Sequence, residues 1–340
     1  MENPNSPIQV ATAGEALIDL IGRPDGTFEP CIGGAVFNLA RALSRQGVGT
    51  AYLNPLSQDR FGRQLARGLL DDGVTLGQPA PVHEVTSLAV VALGEGGHPD
   101  YAFYREQVAD RAITAASLGA ACASLPALQV VCTGALALAP ADAAIYLPWL
   151  QAQRAAGRLV VVDANLRPSA IQDLVPYRRN VLRAVAEADV VKVSDEDLDH
   201  LGIAGATPEA RARQLMTQTP AQALALTLGA QGACLLLRDP AGGVRVWRAR
   251  EPKPIEVVDT VGAGDCFLAG LLAALLHDGA DPRRVLAGAD NATGRSVLSH
   301  ALASASLNVM RRGCQPPSWA EAHQRAASIV CSKAPNPGPG

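Results

Sequence analysis

The chain has 340 residues, which is long enough for one large domain or two of ordinary size. Hydrophobic residues make up 48% and charged residues only 18%, a composition typical of a soluble globular protein with a large core. The net charge of −3 argues against a nucleic-acid or anionic-membrane surface, and no apolar run reaches the roughly 18 residues of a membrane helix.

The cysteines and the N-terminal residues indicate the compartment. The seven cysteines are odd in number and scattered, and no two of them form a Cys-x-x-Cys pair. This pattern favours reduced thiols over a disulfide scaffold or a zinc site. The first residues, MENPNSP, carry no basic side chain, so they do not resemble a secretory signal. We expect a cytoplasmic protein with neither a nucleic-acid nor a membrane partner.

Short apolar runs alternate with helical segments along most of the chain. The runs predict strands at 8–14, 50–54, 128–134, 158–164, 189–194 and 223–229. Helices are predicted at 34–46, 59–72 and 140–156, each followed by a glycine that suits a left-handed cap. Because the strands lack polar alternation, they fit a parallel sheet buried on both faces. The expected fold is α/β, a doubly wound, mainly parallel sandwich forming a single domain over residues 1–330.

Two regions, about 15–30 and 86–108, do not follow this alternation of apolar strands and helices. They alternate apolar and polar residues, which indicates a sheet with one face that is not covered by helices. We expect a small antiparallel β flap over the carboxyl edge of the main sheet, with a turn at Gly96-Gly97. A flap strand with a free edge could pair with its twin, so a homodimer formed through the flap is an arrangement to test.

The last third of the chain reads mainly as helices. Before it, GACLLLR and VRVWRA predict a hairpin, and PIEVVD at 254–259 predicts the last strand. Helical segments follow at 265–279, from Asp281-Pro282 onward, and through 296–312. The Pro- and Gly-rich tail, 331–340, is expected to be disordered.

The stretch DTVGAGDCF, 259–267, places glycines and an acid at a predicted strand-to-helix junction. Backbone N–H groups and a helix N-terminus there suit a phosphate or a developing oxyanion. Asp265 would fit as a base that takes a proton from a substrate hydroxyl, with Gly262, Ala263 and Gly264 stabilising the transferred phosphoryl group. The alternative from this motif alone is an acid that caps the helix beside a tight turn.

A second polar group follows the predicted strand at 158–164. Asp163, Asn165 and Arg167 lie at the carboxyl edge, where open α/β sheets bind ligands. Arg167 could neutralise phosphate charge, and Asn165 could orient a phosphate or a water on Mg²⁺. A plain strand-end turn, which Pro168 favours, is the alternative.

Seven segments occur together in a fixed order: GEALIDL (14–20), GGAVFN (33–38), FYREQVAD (103–110), DANLRP (163–168), VVKVSDEDL (190–198), TLGAQG (227–232) and DTVGAGD (259–265). From about residue 8 to 315 the chain resembles the ribokinase-like (PfkB) family of carbohydrate kinases, and within it bacterial fructokinases. The resemblance implies phosphorylation of a primary hydroxyl of a ketohexose, with D-fructose as the leading substrate. It implies ATP and Mg²⁺ as cofactors, with K⁺ as a further candidate. The alternatives are a 2-keto-3-deoxygluconate kinase and a sugar- or nucleotide-binding protein without turnover.

The resemblance also implies roles position by position. The catalytic group would be Asp265, with Gly262, Ala263 and Gly264 as the anion hole and Arg167 at the transferred phosphate. Sugar-binding positions would be Asp19, Gly33, Gly34, Asn38, Phe103 and Arg105, together with Asp265. Nucleotide-binding positions would be Asn165, Thr227, Gly229, Gly232 and Asn291.

The ion sites are less regular. Many relatives carry Asn-x-x-Glu after the fifth strand, whereas this chain has Ser194-Asp195-Glu196-Asp197. Oxygen ligands remain, and Asp197 is the candidate for Mg²⁺, held through water. Asp259 is the candidate for a monovalent cation.

Overall fold

The computed structural model describes residues 7–23, 25–93, 99–239, 242–277 and 279–334. The strands in these ranges are β1 Val10–Thr12, β2 Leu17–Gly22, β3 Phe28–Gly33, β4 Thr50–Tyr52, β5 Thr75–Leu76, β6 Ser87–Leu93, β7 Pro99–Tyr104, β8 Val130–Gly134, β9 Leu159–Asp163, β10 Val190–Ser194, β11 Ala223–Thr227, β12 Ala233–Arg238, β13 Val244–Arg250 and β14 Val330–Lys333. The α-helices are α1 Ala35–Arg45, α2 Arg60–Asp71, α3 Ala115–Ala123, α4 Ala143–Ala155, α5 Leu174–Val185, α6 Asp195–His200, α7 Pro208–Thr217, α8 Ala263–Leu276, α9 Pro282–Gly288, α10 Asn291–Val309 and α11 Trp319–Ala326.

The main sheet has ten strands in the order β14-β13-β12-β11-β10-β9-β8-β1-β4-β5. Pairing is parallel from β5 through β11 and antiparallel from β11 to β14. Every residue of β8 and β9 is buried, because helices cover both faces of the sheet. Alternate residues of these strands belong to two separate apolar clusters, one on each face. The predicted doubly wound α/β sandwich is confirmed.

The flap is a separate four-stranded sheet in the order β3-β2-β6-β7. Its two outer pairs are antiparallel, but β2 and β6 pair in parallel, so the flap is a mixed sheet rather than the antiparallel one expected. The reason is that two hairpins from distant parts of the chain lie side by side with their first strands in the same direction. Its Ile18 and Ile32 pack in one cluster with Phe37 and Leu65, from α1 and α2. The turn predicted at 96–97 lies outside the described residues.

Two expectations for the C-terminal third were wrong. Segment 254–259 is not a strand: Val257 and Val258 are each 55% exposed, and the Val258 amide donates to the carbonyl of Val309. The edge beside β13 is taken by β14, which pairs with it from Val330 to Lys333. The segment predicted to be disordered therefore begins inside a strand, and its residues 335–340 lie outside the described residues.

Helix α8 brings the glycine-rich motif to the sheet. It is apolar almost along its whole length and packs closely on α10, where a Cβ on Gly270 would lie 2.6 Å from Ser304 Oγ. This contact fixes the position of the α8 N-terminus relative to the strands β9 and β10.

Candidate active site

The start of α8 is shaped by glycines. Gly262 caps the helix in the left-handed region, at φ 75°, and a Cβ there would lie 2.4 Å from Cys314 Sγ. Both conformation and space therefore require glycine at this position. Of the three predicted anion-hole amides, that of Ala263 donates to the Thr260 carbonyl at 3.2 Å. The helix N-terminus remains a source of positive potential.

Asp265 lies in the first turn of α8 and is only 6% exposed. Its Oδ2 accepts a hydrogen bond of 3.0 Å from Asn38 Nδ2, which comes from α1. Burial raises the pKa of the Asp265 carboxyl, and this rise is opposed by the Asn38 bond and by the charges of Lys192 and Arg167. A buried carboxylate with a raised pKa is a stronger proton acceptor than one in water.

A cavity of about 10 Å³ borders this carboxylate, which is room for about one water molecule and not for a sugar. Side chains and backbone from α1, β8, β9 and α8 line it: Ala35, Val36, Leu39, Thr133, Gly134, Asp163 and Asp265. Asn38, a predicted sugar ligand, donates its amide to the Asp265 carboxylate. Among the described residues, the opposite atom, Asn38 Oδ1, is buried without a hydrogen-bond partner. Asn38 therefore orients the Asp265 carboxylate in this structure.

The flap contributes Asp19 and the glycine pair. A Cβ on Gly33 would lie 2.2 Å from Asp19 Oδ2, so the glycine makes room for this carboxylate. Burial raises the pKa of Asp19 to about 6, and the charge of Arg167 opposes the rise. Gly34 has φ 109° and begins α1, with its Cβ position 2.7 Å from the Glu15 carbonyl. Gly33 and Gly34 lead directly into α1, whose Asn38 contacts Asp265.

The guanidinium of Arg105 contacts other groups of the protein. Its guanidinium bonds Asp110 at 3.1 Å and the Leu136 carbonyl at 3.3 Å, and it lies 3.8 Å from Asp142. The side chain is 12% exposed, and the neighbouring acids raise its pKa against the effect of burial. It therefore joins the end of β7 to the body of the protein. Phe103 stacks on Tyr101 with ring centroids 5.9 Å apart and packs in a small cluster with Leu136.

Arg167 and Asn165, which are predicted to lie beside the phosphate, contact each other directly. Arg167 donates to Asn165 Oδ1 at 2.6 Å, and Asn165 adopts a positive φ of 36°. The Arg167 charge acts on both Asp19 and Asp265, which places it between the flap and α8. Its amide donates to Tyr177 Oη at 3.1 Å, which fixes the turn after β9.

The predicted nucleotide positions lie on the next strands of the same edge. Thr227 ends β11, and Gly229 and Gly232, at φ 53° and 97°, flank a single helical turn. A Cβ on Gly232 would meet the Ala249 carbonyl at 2.1 Å. Asn291 begins α10 and accepts a hydrogen bond of 3.0 Å from Trp247 Nε1. Its side-chain oxygen is thus already engaged with the core.

Both candidate ion ligands hold backbone amides. Asp197 accepts from Leu166 N at 2.7 Å and from Ser194 N at 2.8 Å, so each oxygen already has a donor. Asp259 accepts from Val261 N and Gly313 N. Across the described ranges there is no group of three or more His, Cys, Asp or Glu side chains arranged to hold a metal. This geometry is that of carboxylates that cap backbone amides.

One functional candidate was missed by the sequence analysis. Lys192 lies in β10, is 3% exposed and forms an ion pair of 3.1 Å with Asp163 Oδ1. The signal was available, since a lysine interrupts the apolar run VVKVS. A charged residue in a buried strand needs a partner.

Comparison with known proteins identifies the family. The model for the pfkB family of carbohydrate kinases matches residues 8–321. The chain belongs to the pfkB family. A fructokinase from Rhizobium leguminosarum bv. trifolii is 35% identical to this kinase over 285 residues, which cover 83% of this chain and 84% of the relative. A fructokinase from Vibrio alginolyticus is 32% identical over 275 residues, 78% of this chain and 84% of the relative.

Solved structures of known proteins share the fold of this chain. A fructokinase with bound ATP from Xylella fastidiosa superposes with a TM-score of 0.78 at 27% identity, covering 95% of this chain and 99% of that one. A fructokinase variant from Vibrio cholerae O395 with fructose, ADP and potassium bound gives 0.74 at 24% identity, covering 95% and 99%. In the ranges that the structure describes, the helices are all too short or too polar to span a membrane.

Proposed function

We propose that this kinase transfers the γ-phosphoryl group of ATP to a primary hydroxyl of a ketohexose, with D-fructose as the leading substrate. The observation that carries the proposal is the buried Asp265 carboxylate, held by Asn38 at the α8 N-terminus and within the field of Arg167. The likeness to fructokinases at 35% and 32% identity, and to one that binds ATP, supports the choice of substrates.

The roles of the residues follow from this arrangement. Asn38 occupies Asp265 Oδ2, so we assign Oδ1 to the substrate hydroxyl. As the hydroxyl oxygen attacks the γ-phosphorus, its proton moves to Asp265, and ADP leaves with the electrons of the broken P–O bond. Arg167 and the α8 N-terminus stabilise the negative charge of the transferred group. Mg²⁺ would enter with the nucleotide phosphates.

The charges on the sugar side favour a neutral sugar over an acid sugar. Arg105, the residue that could bind a carboxylate, already faces Asp110 and Asp142. Asp19 adds another acid on the flap, and burial raises its pKa to about 6 although the charge of Arg167 opposes the rise. A 2-keto-3-deoxygluconate carboxylate would therefore find Arg167 as its main partner. D-fructose needs no such partner.

The test of the substrate is ADP release by purified protein with ATP and Mg²⁺. We expect the highest kcat/KM with D-fructose, in a panel that also contains 2-keto-3-deoxygluconate and D-ribose. A higher kcat/KM for the acid sugar would replace fructose by that substrate. Absence of ADP release with all of them, in the presence and absence of K⁺, would favour a binding protein without turnover.

The base assignment is tested by Asp265→Asn. We expect kcat to fall by about two to four orders of magnitude, because the amide cannot accept the hydroxyl proton. Sugar binding, measured by calorimetry, should change little. The matched control is Asp71→Asn, which neutralises an exposed acid in the last turn of α2. Near-normal turnover of Asp265→Asn would show that another group accepts the proton.

A further inference from the structure

Lys192 is a buried cation directly behind the proposed base. Its strand, β10, points this side chain toward α8, the helix that carries Asp265. The ammonium lies 3.1 Å from Asp163 Oδ1, and the acids Asp163, Asp197 and Asp265 raise its pKa against the effect of burial. Burying an ammonium group is costly without such partners. These contacts favour the charged form of Lys192, and the acids that act on it belong to β9, α6 and α8.

Because Gly264 has no side chain, it leaves space for the Lys192 ammonium. A Cβ built on Gly264 would lie 2.9 Å from Lys192 Nζ and 3.5 Å from Lys192 Cε, and both described neighbours within 4 Å belong to this lysine. Gly264 is in the first turn of the helix and does not have a positive φ. Its backbone conformation therefore does not require glycine. A side chain there would instead require the Lys192 ammonium to shift, and its ion pair with Asp163 opposes that shift.

We propose that Lys192 is a positioning residue for phosphoryl transfer, and that Gly264 is a glycine because a side chain there would displace the Lys192 ammonium. The ammonium connects the ends of β9 and β10 to the first turn of α8. It thereby holds Asp265 and the neighbouring amides in their working orientation. This inference rests on the proposed function, since it concerns the same site. Lys192 acts through other residues and is not assigned a contact with sugar or phosphate.

A contribution to folding stability does not by itself explain the buried ion pair between Lys192 and Asp163. A buried ion pair is often no more stabilising than apolar residues of the same shape, because both charges lose their hydration. Its location gives it another effect. The charges facing Asp265 are Lys192 from β10 and Arg167 from the turn after β9, and Asn38 from α1 donates to it. Asp163 faces it with like charge. Lys192 thus offsets Asp163 in the field at the base.

A double-mutant cycle tests the contact. In the natural chain we expect Gly264→Ala to lower kcat by about tenfold or more, because a displacement of an ångström at the reacting groups is enough for such a loss. Lys192→Met keeps the length of the side chain to the Cε position, which lies at an ordinary contact distance of 3.5 Å from the new Cβ. In the Lys192→Met background, Gly264→Ala should lower kcat by no more than about threefold. The difference between the losses in the two backgrounds measures the coupling between the two sites. Equal losses in the two backgrounds would overturn the inference.

The pH dependence of kcat separates positioning from a general loss of structure. Lys192→Met removes a positive charge near the base, so the acid limb should move to higher pH. Asp163→Asn leaves Lys192 with an uncompensated charge, so the limb should move to lower pH. A purely structural defect would lower kcat in both variants without opposite shifts of the limb. Limbs that stay in place would overturn the positioning role.

Thermal unfolding without substrates keeps this test independent of the proposed function. The same coupling between Gly264→Ala and Lys192→Met should appear in Tm, whether or not any sugar is phosphorylated. Absence of ADP release by the natural chain would count against the proposed function, while Tm would still decide the contact. If Lys192→Met fails to fold, the variant Lys192→Met/Asp163→Asn, which leaves no unpaired acid, takes its place in the cycle.

Discussion

Asn38 contacts the proposed base through one hydrogen bond, and the sequence could not show this. The resemblance placed Asn38 among sugar ligands, whereas the structure has its amide donating to Asp265 Oδ2 at 3.0 Å. The two residues are far apart in the chain, so spacing carries no information on the contact. The bond favours the ionised carboxylate, because it is made to the charged form. At the scale of the residue, burial raises the pKa of Asp265 and the Asn38 hydrogen bond lowers it, so Asn38 tunes the proton affinity of the proposed base.

This role gives a prediction for Asn38→Ala. Loss of the bond removes an effect that lowers the pKa of Asp265, so the pKa should rise further and the acid limb of kcat should move to higher pH. We expect kcat at neutral pH to fall by about tenfold or more, as a misoriented base is a poorer acceptor. The matched control is Asn180→Ala, a buried asparagine of α5 whose amide donates to the Leu138 carbonyl. An unmoved limb in Asn38→Ala would contradict the role.

At the scale of the element, periodicity predicted most of the sheet correctly. Predicted strands at 128–134, 158–164 and 189–194 contain the observed β8, β9 and β10, and the predicted helix at 34–46 contains α1. These strands are predictable because both of their faces are buried and they read as continuous apolar runs, while α1 buries one apolar face of helical spacing. The apolar run PIEVVD was misread because a sequence does not show whether a neighbouring edge is free. That edge belongs to β14, more than seventy residues later.

The candidate site was predictable only where residues are close in sequence or belong to a family motif. Asp265, Gly262 and the turn with Asn165 and Arg167 were predicted in this way, and their roles stay predictions. The pairing of Lys192 with Asp163 was missed, because it joins adjacent parallel strands that are separated by a helix in the chain. The internal partners of Arg105 were missed for a similar reason.

Close packing of α10 on the sheet gives a prediction at this scale. A Cβ on Gly294 would lie 2.5 Å from Trp247 Cε2, in a ring that is fully buried. Gly294→Ala should therefore lower the free energy of unfolding by on the order of 1–3 kcal/mol, as overpacking does. Gly119, within α3, has open space at its Cβ position, so Gly119→Ala should raise stability by up to about 1 kcal/mol. Urea unfolding of both variants measures the contrast, and equal midpoints would refute it.

At the scale of the whole molecule, buried acids connect stability to pH. Burial raises the pKa of Glu15 from 4.5 to about 7, with Arg105 opposing the rise. An acid whose pKa is higher in the folded state contributes stability that is fully present below about pH 4.5 and is lost as the pH rises through about 7. Exposed acids with lowered pKa values, such as Asp290, act in the opposite sense.

The variant Glu15→Gln isolates this contribution. Its amide oxygen can still accept the hydrogen bond that Glu15 takes from the Ala35 amide, but it cannot titrate. The free energy of unfolding of the natural chain, relative to that of Glu15→Gln, should therefore fall between pH 4.5 and 7. Urea titrations at several pH values measure this difference. Glu84→Gln, at an exposed position, is the control, and a flat difference for Glu15→Gln would contradict the prediction.

The glycine pair that joins the flap to α1 has a mechanical consequence. Gly33 ends the flap strand β3, and Gly34 is the N-cap of α1. One turn later, Asn38 donates a hydrogen bond to the Asp265 carboxylate. Any displacement of that strand by an incoming ligand is passed along a continuous stretch of backbone to the amide that aims the base. The position of the flap strand and the orientation of the proposed base are therefore mechanically coupled, so under the proposed function a sugar that moved the flap would also turn the Asp265 carboxylate.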